Sequence, residues 1–254
     1  MPDYGPETYG DRWAEIYDEW VVGVRPDEEA TADFLASLAA GGPALELAIG
    51  TGRVALALAA RGVEVHGIDA SERMVAKLRE KPDGSDIPVT IGDFADVAVD
   101  GTYPLIYVVF NTFFALPTQD DQVRCFRNVA GHLAEDGVFV IQAFVPDMTR
   151  FDHGQRVETI RAETDLLYID GSTHDVAQQR IHVTQAFIRE DGVRLYPVQL
   201  RYAYPPEIDL MGGLAGLQLR ERWASWARDP FTGASQGHVS VYERARGSET
   251  PGSS

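Results

Sequence analysis

From residue 44 to residue 144, short apolar runs alternate with helical stretches, and the first run ends in a glycine loop. ALELAIG (44–50), VEVHGID (63–69), IPVTIGD (87–93), YPLIYVVF (103–110) and GVFVIQAF (137–144) read as strands. RVALALAARG (53–62), SERMVAKLRE (71–80) and TQDDQVRCFRNVAGHL (118–133) read as the helices between them, with Ser71 and Thr118 placed as caps. Strands that are apolar without a break are buried on both faces, which calls for a parallel sheet covered by helices on each side. An earlier helix over 26–40 opens on Pro26 and stops at Gly41-Gly42.

After Pro146 the pattern changes. VETIRAE, QQRIHVTQAFIRE and VRLYPVQLRYAY are longer and more polar, and in the last of them apolar and polar residues alternate. Period two with one wetter face predicts antiparallel sheet, with hairpin turns at Asp170-Gly171 and Asp191-Gly192. A helix near 206–215 and two strands, LQLRERWA and HVSVYER, follow. The expected organisation is an aromatic-rich cap over 1–25, a core over 26–146 and 205–244, an antiparallel insertion over 147–204, and a disordered tail over 245–254.

Charge and cysteine content narrow the partners. A net charge of −17 over 254 residues repels a phosphate backbone and an acidic membrane surface, so neither nucleic acid nor membrane is expected. Cys125 is the single cysteine, which excludes an intrachain disulfide and a thiol zinc cluster. No secretory pattern and no run of about 20 apolar residues is present, so a cytoplasmic protein is expected. The oligomeric state stays open, a homodimer included.

The loop itself points to a nucleotide. In ELAIGTGR (46–53), Gly50 and Gly52 let the chain turn sharply and let a ligand approach the backbone. The spacing Gly50-x-Gly52-x-x-Ala55 also meets a relaxed dinucleotide fingerprint, so an NAD(P)-dependent oxidoreductase is the alternative. Glu46 lies inside the first strand, where a carboxylate needs a partner such as a ligand ammonium or nearby amides. Asp69 ends the second strand and can accept both hydroxyls of a ribose. Gly92-Asp93-Phe94 ends the third and can read a purine edge. All three fall on the sheet edge that holds ligands in open α/β folds.

ELAIGTGR, GIDAS (67–71), GDF (92–94) and HLAEDGVFVI (132–141), in that order, resemble the class I S-adenosylmethionine-dependent methyltransferases over roughly residues 14–145. The resemblance implies a Rossmann-like, seven-stranded, mostly parallel sheet with helices on both faces, plus an antiparallel β insertion covering the active site. It implies S-adenosyl-L-methionine as cofactor, S-adenosyl-L-homocysteine as product, and transfer of a methyl group in line to a nitrogen or oxygen of a small metabolite. Glu46, Ala48 and Gly50 are then expected on the methionine and ribose side, with Gly52 close behind the loop. Asp69 is expected on the ribose, Ala70 and Met74 beside the adenine, Asp93 on its exocyclic amine and Phe94 along the ring edge. Ala48 stands where the fuller pattern has another glycine. The tract Ala14 to Asp18 is similar to the cap of sugar N-methyltransferases, in which a tyrosine at the place of Tyr17 closes over the methionine.

The acceptor side is less marked. Phe110 and Asn111, at the end of the fourth strand, are candidates for the cofactor, Asn111 through its side-chain carbonyl. Phe114 and Phe144 are candidates for a substrate wall, with core packing as the competing reading for Phe114. Tyr9 and Trp13 can attract a cation or pack the cap, and Arg201 can meet a substrate anion or face solvent. His153, in FDHGQ, is the histidine given a chemical role, His174 a lesser candidate; His66 and His132 read as structural, and His238 as surface. Asp120 and Asp121 read as helix-start residues, so no metal is expected.

Overall fold

A computed structural model describes residues 4–24 and 28–245, with backbone alone described for 21–24. The expected tail over 245–254 falls outside the described residues from 246 on, as does the Pro26 helix start.

The parallel part of the sheet forms from β1 (Ala44–Leu47), β2 (Val65–Asp69), β3 (Val89–Ile91), β4 (Tyr103–Val108) and β5 (Leu133–Phe144). Helices α4 (Arg53–Ala59), α5 (Glu72–Arg79) and α6 (Gln119–His132) connect them. Ser71 Oγ accepts the Met74 amide at 3.1 Å and Thr118 Oγ1 the Asp121 amide at 3.0 Å, so both expected caps form. Asp121 also pairs with Arg124 at 2.8 Å, the geometry of a helix-start residue.

Strand order is β10-β11-β5-β4-β1-β2-β3. The closing pair, β10 (Leu217–Trp223) and β11 (Gly237–Arg244), is antiparallel, and β11 pairs antiparallel with β5. From β1 the chain builds outward to β3, then crosses back to place β4 on the other side of β1. The carboxyl ends of β1 and β4 therefore flank a topological switch point, where such sheets open a ligand crevice.

Alternation along the buried strands feeds two core layers. Ile106 and Val108 pack with Phe126 of α6 on one face, while Leu105 and Tyr107 pack with Phe34, Leu35 and Leu58 of the α3 (Glu28–Ala36) and α4 layer on the other. The expected helix over 26–40 ends early, at Ala36.

The insertion is a separate sheet of β6 (Gln155–Ala162), β7 (Leu167–Asp175), β8 (Arg180–Arg189) and β9 (Gly192–Arg201), all antiparallel. The turn expected at Asp170-Gly171 does not occur there. Both residues sit mid-strand in β7, opposite Glu158 and Val157 on one side and Gln185 and Thr184 on the other. A turn dipeptide is overridden when pairing on both sides continues through it. The second expected turn forms one residue earlier, at Glu190-Asp191, with Gly192 already in β9 opposite Arg189.

The cap consists of α1 (Thr8–Trp13) and α2 (Tyr17–Val24), and α7 (Pro205–Leu214) leads from the insertion back to β10. Three contacts pin the cap to the strand ends. Ser71 Oγ donates to Asp11 at 2.6 Å, Thr51 Oγ1 donates to Asp18 at 2.6 Å, and Lys81 Nζ reaches the other Asp18 oxygen at 2.7 Å. No helix among the described residues is long and apolar enough to cross a membrane.

Candidate active site

The glycine loop owes its shape to three left-handed residues: Ala48 (φ 56°), Gly50 (φ 58°) and Gly52 (φ 73°). A side chain at Gly52 would put Cβ 2.2 Å from Leu78 Cδ1, so this glycine lets α5 pack against the loop. Gly50 has nothing within 4 Å of the Cβ position and leaves open space where a ligand can approach. Ala48 holds a strained conformation that costs about 1–2 kcal/mol for a residue with a Cβ.

Asp69 organises this edge. Its two oxygens accept the Gly50 amide at 2.7 Å and the Ser71 amide at 2.8 Å. Burial raises its pKa, and these two amides oppose the rise. Each oxygen keeps a lone pair for a hydroxyl donor.

A cavity of about 180 Å³ lies above, roofed by the cap. Ala48, Gly50, Asp69, Ala70, Met74, Asp93 and Phe94 line its floor. Tyr9 and Tyr17 close it from the cap side, and Leu116 and Gln199 from the other. Asp93 is oriented by the Ala95 amide at 2.9 Å. Burial pushes the Tyr17 phenol up to about 12, with Arg53 pulling the other way.

Behind Tyr17 sit two ionisable groups, Glu46 and Arg53. Glu46 is 3% exposed and takes a 3.0 Å hydrogen bond from the Tyr107 hydroxyl. Burial pushes its carboxyl up to about 8, against the pull of that hydroxyl and of Arg53. Arg53 lies 5.4 Å over the Phe110 ring, and its Nε is buried without a hydrogen-bond partner. An unpaired buried guanidinium donor beside a neutral buried carboxyl suits a ligand with both an anionic and a cationic end. Sequence reasoning passed over Arg53, although it closes the ELAIGTGR motif at the first position of α4.

Several other site residues stand elsewhere than expected. His153 is on an exposed turn, its side chain 93% accessible and paired with Asp152 at 2.6 Å. It borders a separate surface depression, away from the cavity, because the Asp152–Gln155 bridge turns the loop outward. His174 lies in the β7–β8 hairpin, opposite Ile181, and is the better buried of the two; its Nε2 is 2.8 Å from the Tyr202 hydroxyl and its ring lies tilted 5.0 Å from Phe151. His238 is buried, not surface, and burial drops its pKa to about 4. His66 and His132 are held by Tyr103 and Glu64, and by Asn128 and Val99.

Asn111 spends its side-chain carbonyl on the Phe144 amide at 2.7 Å, so that oxygen serves to join β4 and β5. Phe110 and Asn111 are both left-handed, and the Phe110 amide donates to Gln142 Oε1. Phe114 is fully buried and packs edge-on against the half-buried Phe144 at 4.9 Å, so packing rather than a substrate wall accounts for it. Arg201 is 5% exposed with its donors committed to Gln122, Gln179 and Glu207; it ties the insertion to α6 and α7 and has no free face for a substrate anion. Trp13 is fully buried between Trp20 and Tyr196, each 4.7 Å away, which makes it the post that joins cap to insertion.

Comparison with known proteins agrees with this geometry. A methyltransferase-domain family matches residues 44–137. The cypemycin N-terminal methyltransferase of a Streptomyces species is 30% identical, over 94% of this chain and 98% of that protein. Among solved structures, the CcbJ methyltransferase of Streptomyces caelestis superposes with a TM-score of 0.91 at 41% identity, covering 96% of this chain and all 100% of that one. A sugar N-methyltransferase of Streptoalloteichus shares the fold at a TM-score of 0.67 and 20% identity, with 97% and 99% of the two chains covered.

Proposed function

The chain belongs to the S-adenosylmethionine-dependent methyltransferases, and we propose that the small molecule it methylates is an amine, through nitrogen. The nicotinamide alternative falls, because the relatives that span the whole chain are methyltransferases. The cofactor supplies a sulfonium methyl whose leaving group is a neutral thioether, so the protein needs no acid to assist departure. Its work is to hold two partners in line and keep water out.

In this reading Asp69 accepts the ribose hydroxyls, and Asp93 and the Phe94 backbone hold the adenine edge. Ala70 and Met74 pack beside the base. Gly50 admits the nucleoside against the loop, with Ala48 at the start of that turn and Gly52 behind it. Arg53 meets the carboxylate end, and Glu46 gives up its proton to face the ammonium. Tyr17 and Tyr9 cover both, and the cap contacts at Ser71 and Thr51 hold that cover down.

The nitrogen assignment is carried by Asp170. It lies on the inner face of the insertion sheet, in one cross-strand row with Glu158, Gln185 and Tyr196. Tyr196 of that row packs on Trp13 of the cap, and the row beyond it, through Val183, packs against the core. Asp170 accepts the Ser172 hydroxyl at 2.6 Å and has no cation within ion-pair distance among the described residues. The Gln185 Oε1 beside it is buried without a partner. A carboxylate and an amide oxygen left in this state favour an ammonium over a phenol or alcohol. An outer apolar face on the same sheet, with Val157, Val193 and Leu195 exposed, is where we place a homodimer contact.

Release of S-adenosylhomocysteine from panels of amines, amino sugars, phenols and alcohols tests the reading. Amines should turn over, and Asp170→Asn should lower kcat/KM for them at least tenfold without changing cofactor affinity. Turnover of phenols or alcohols alone would overturn it. Sedimentation of the full chain reads the assembly.

A further inference from the structure

A second cleft, of about 490 Å³, opens between the cap and the inner face of the insertion. Trp20 lines this cleft and touches Tyr17, which lines the first cavity. The Trp20 ring lies 6.0 Å from Tyr17 and 5.9 Å from Phe110, and its Nε1 donates to the Tyr168 hydroxyl at 3.3 Å. A molecule in this cleft is thus one indole away from the residues that flank the methionine end.

The cleft floor is a registered row. Arg161 pairs with Tyr168, Tyr168 with Phe187, and Phe187 with Arg194, so four strands present arginine, tyrosine, phenylalanine and arginine side by side. The two central rings stack at 4.4 Å and 14°. Arg189 adds a third cation to the lining, against Glu19 and Asp191. The lining thus holds three arginines against two carboxylates, with Glu163 and Asp165 at its margin.

None of these arginines is tightly engaged. Arg161 lies 3.6 Å from Glu163, Arg189 3.6 Å from Asp165 and Arg194 3.7 Å from Asp191, all beyond hydrogen-bond length, with 45%, 45% and 69% of the three side chains exposed. Such loose surface pairs exchange readily for a better acceptor. A planar guanidinium at each end of an aromatic pair suits a flat ring bearing a carboxylate or phosphate.

We propose that this cleft binds the part of the acceptor remote from the reacting nitrogen, and that this part carries an anionic group held by Arg161 and Arg194 over the Tyr168 and Phe187 rings. The inference rests on the amine reading above and deepens it: the acceptor has an amine near Asp170 and an anion one row further out. The row order on the sheet supports this, since Arg161 and Tyr168 follow Glu158 and Asp170 on the same inner face.

The full chain, saturated with S-adenosylhomocysteine, is titrated with phenyl phosphate, benzoate and benzyl alcohol by calorimetry and tryptophan fluorescence. At least one anion should bind tenfold or more tighter than the alcohol, and the tighter arm identifies phosphate or carboxylate. The paired substitution Arg161→Gln with Arg194→Gln should erase that preference; should the pair fail to fold, each single variant should cut it about threefold. Equal binding of all three probes, or a preference that survives the substitutions, overturns the proposal. Amine turnover without anion preference sinks this subsite and leaves the amine reading standing, and anion preference with turnover of phenols alone does the reverse.

Discussion

Asp69 Oδ2 accepts the Gly50 amide at 2.7 Å, so the end of the second strand and the loop after the first are one hydrogen-bonded unit. The same carboxylate that faces a ribose also sets the loop against which the nucleoside rests.

Asp69→Asn should therefore damage both. An asparagine accepts through one oxygen only, and its NH₂ group confronts an amide that is itself a donor. Loss of one charge-assisted hydrogen bond, about 1.5–3 kcal/mol, predicts a roughly 10- to 150-fold weaker S-adenosylhomocysteine affinity by calorimetry. Unchanged affinity would remove the ribose from this carboxylate.

The two loop glycines should fail in different ways. Gly52→Ala meets Leu78 at 2.2 Å as well as an unfavourable φ, so it should lower stability by about 2–4 kcal/mol in urea unfolding. Gly50→Ala has open space around it, so it should cost about 1–2 kcal/mol of stability yet lose most cofactor affinity. Equal stability losses in the two variants would contradict the packing described.

Glu46 should give the ligand-free protein a pH dependence of unusual sign. Its folded pKa, about 8, lies above the ordinary carboxyl value of 4.5. The folded state holds the proton more tightly, so this contribution to stability is complete below pH 4.5 and is lost as pH rises through 8. Thermal melts from pH 5 to 9 should fall less steeply for Glu46→Gln than for the wild type. Parallel curves would mean that Glu46 ionises normally.

The cap should loosen when its anchor is cut. Ser71→Ala removes both the α5 cap and the bond to Asp11, and Gly10→Ala would drive Cβ to 2.4 Å from Ser71 Cβ. The first should cost about 1 kcal/mol of stability. Both should speed amide exchange in residues 8–13 and weaken cofactor binding, while exchange in β4 and β5 stays slow. Protection of α1 unchanged in both variants would show that the cap is held elsewhere.

Much of the donor side was legible in the chain. Apolar periodicity marks β1, β2, β4 and β5, and the caps at Ser71 and Thr118 form because a hydroxyl three residues before an amide is a local arrangement. Gly50, Gly52 and Asp69 announce themselves for the same reason: each answers a need of a strand end, and strand ends are set by neighbours in sequence. Arg53 shows the limit, since it lies in the motif, yet its unpaired Nε is visible only once Tyr17 and Glu46 have folded over it.

The acceptor side was decided by tertiary structure. Asp170 read as a turn residue because Asp-Gly is a turn signal, and only pairing with strands on both sides turns it into a carboxylate on an inner sheet face. Arg201 read as solvated or substrate-binding until Gln122 and Glu207 converged on it. His153 and His238 exchanged their expected surroundings for the same reason. Alternation tells which residues share a face, but which face meets the core depends on sheet packing between segments far apart in the chain, and no local hydrogen bond or periodicity encodes that choice.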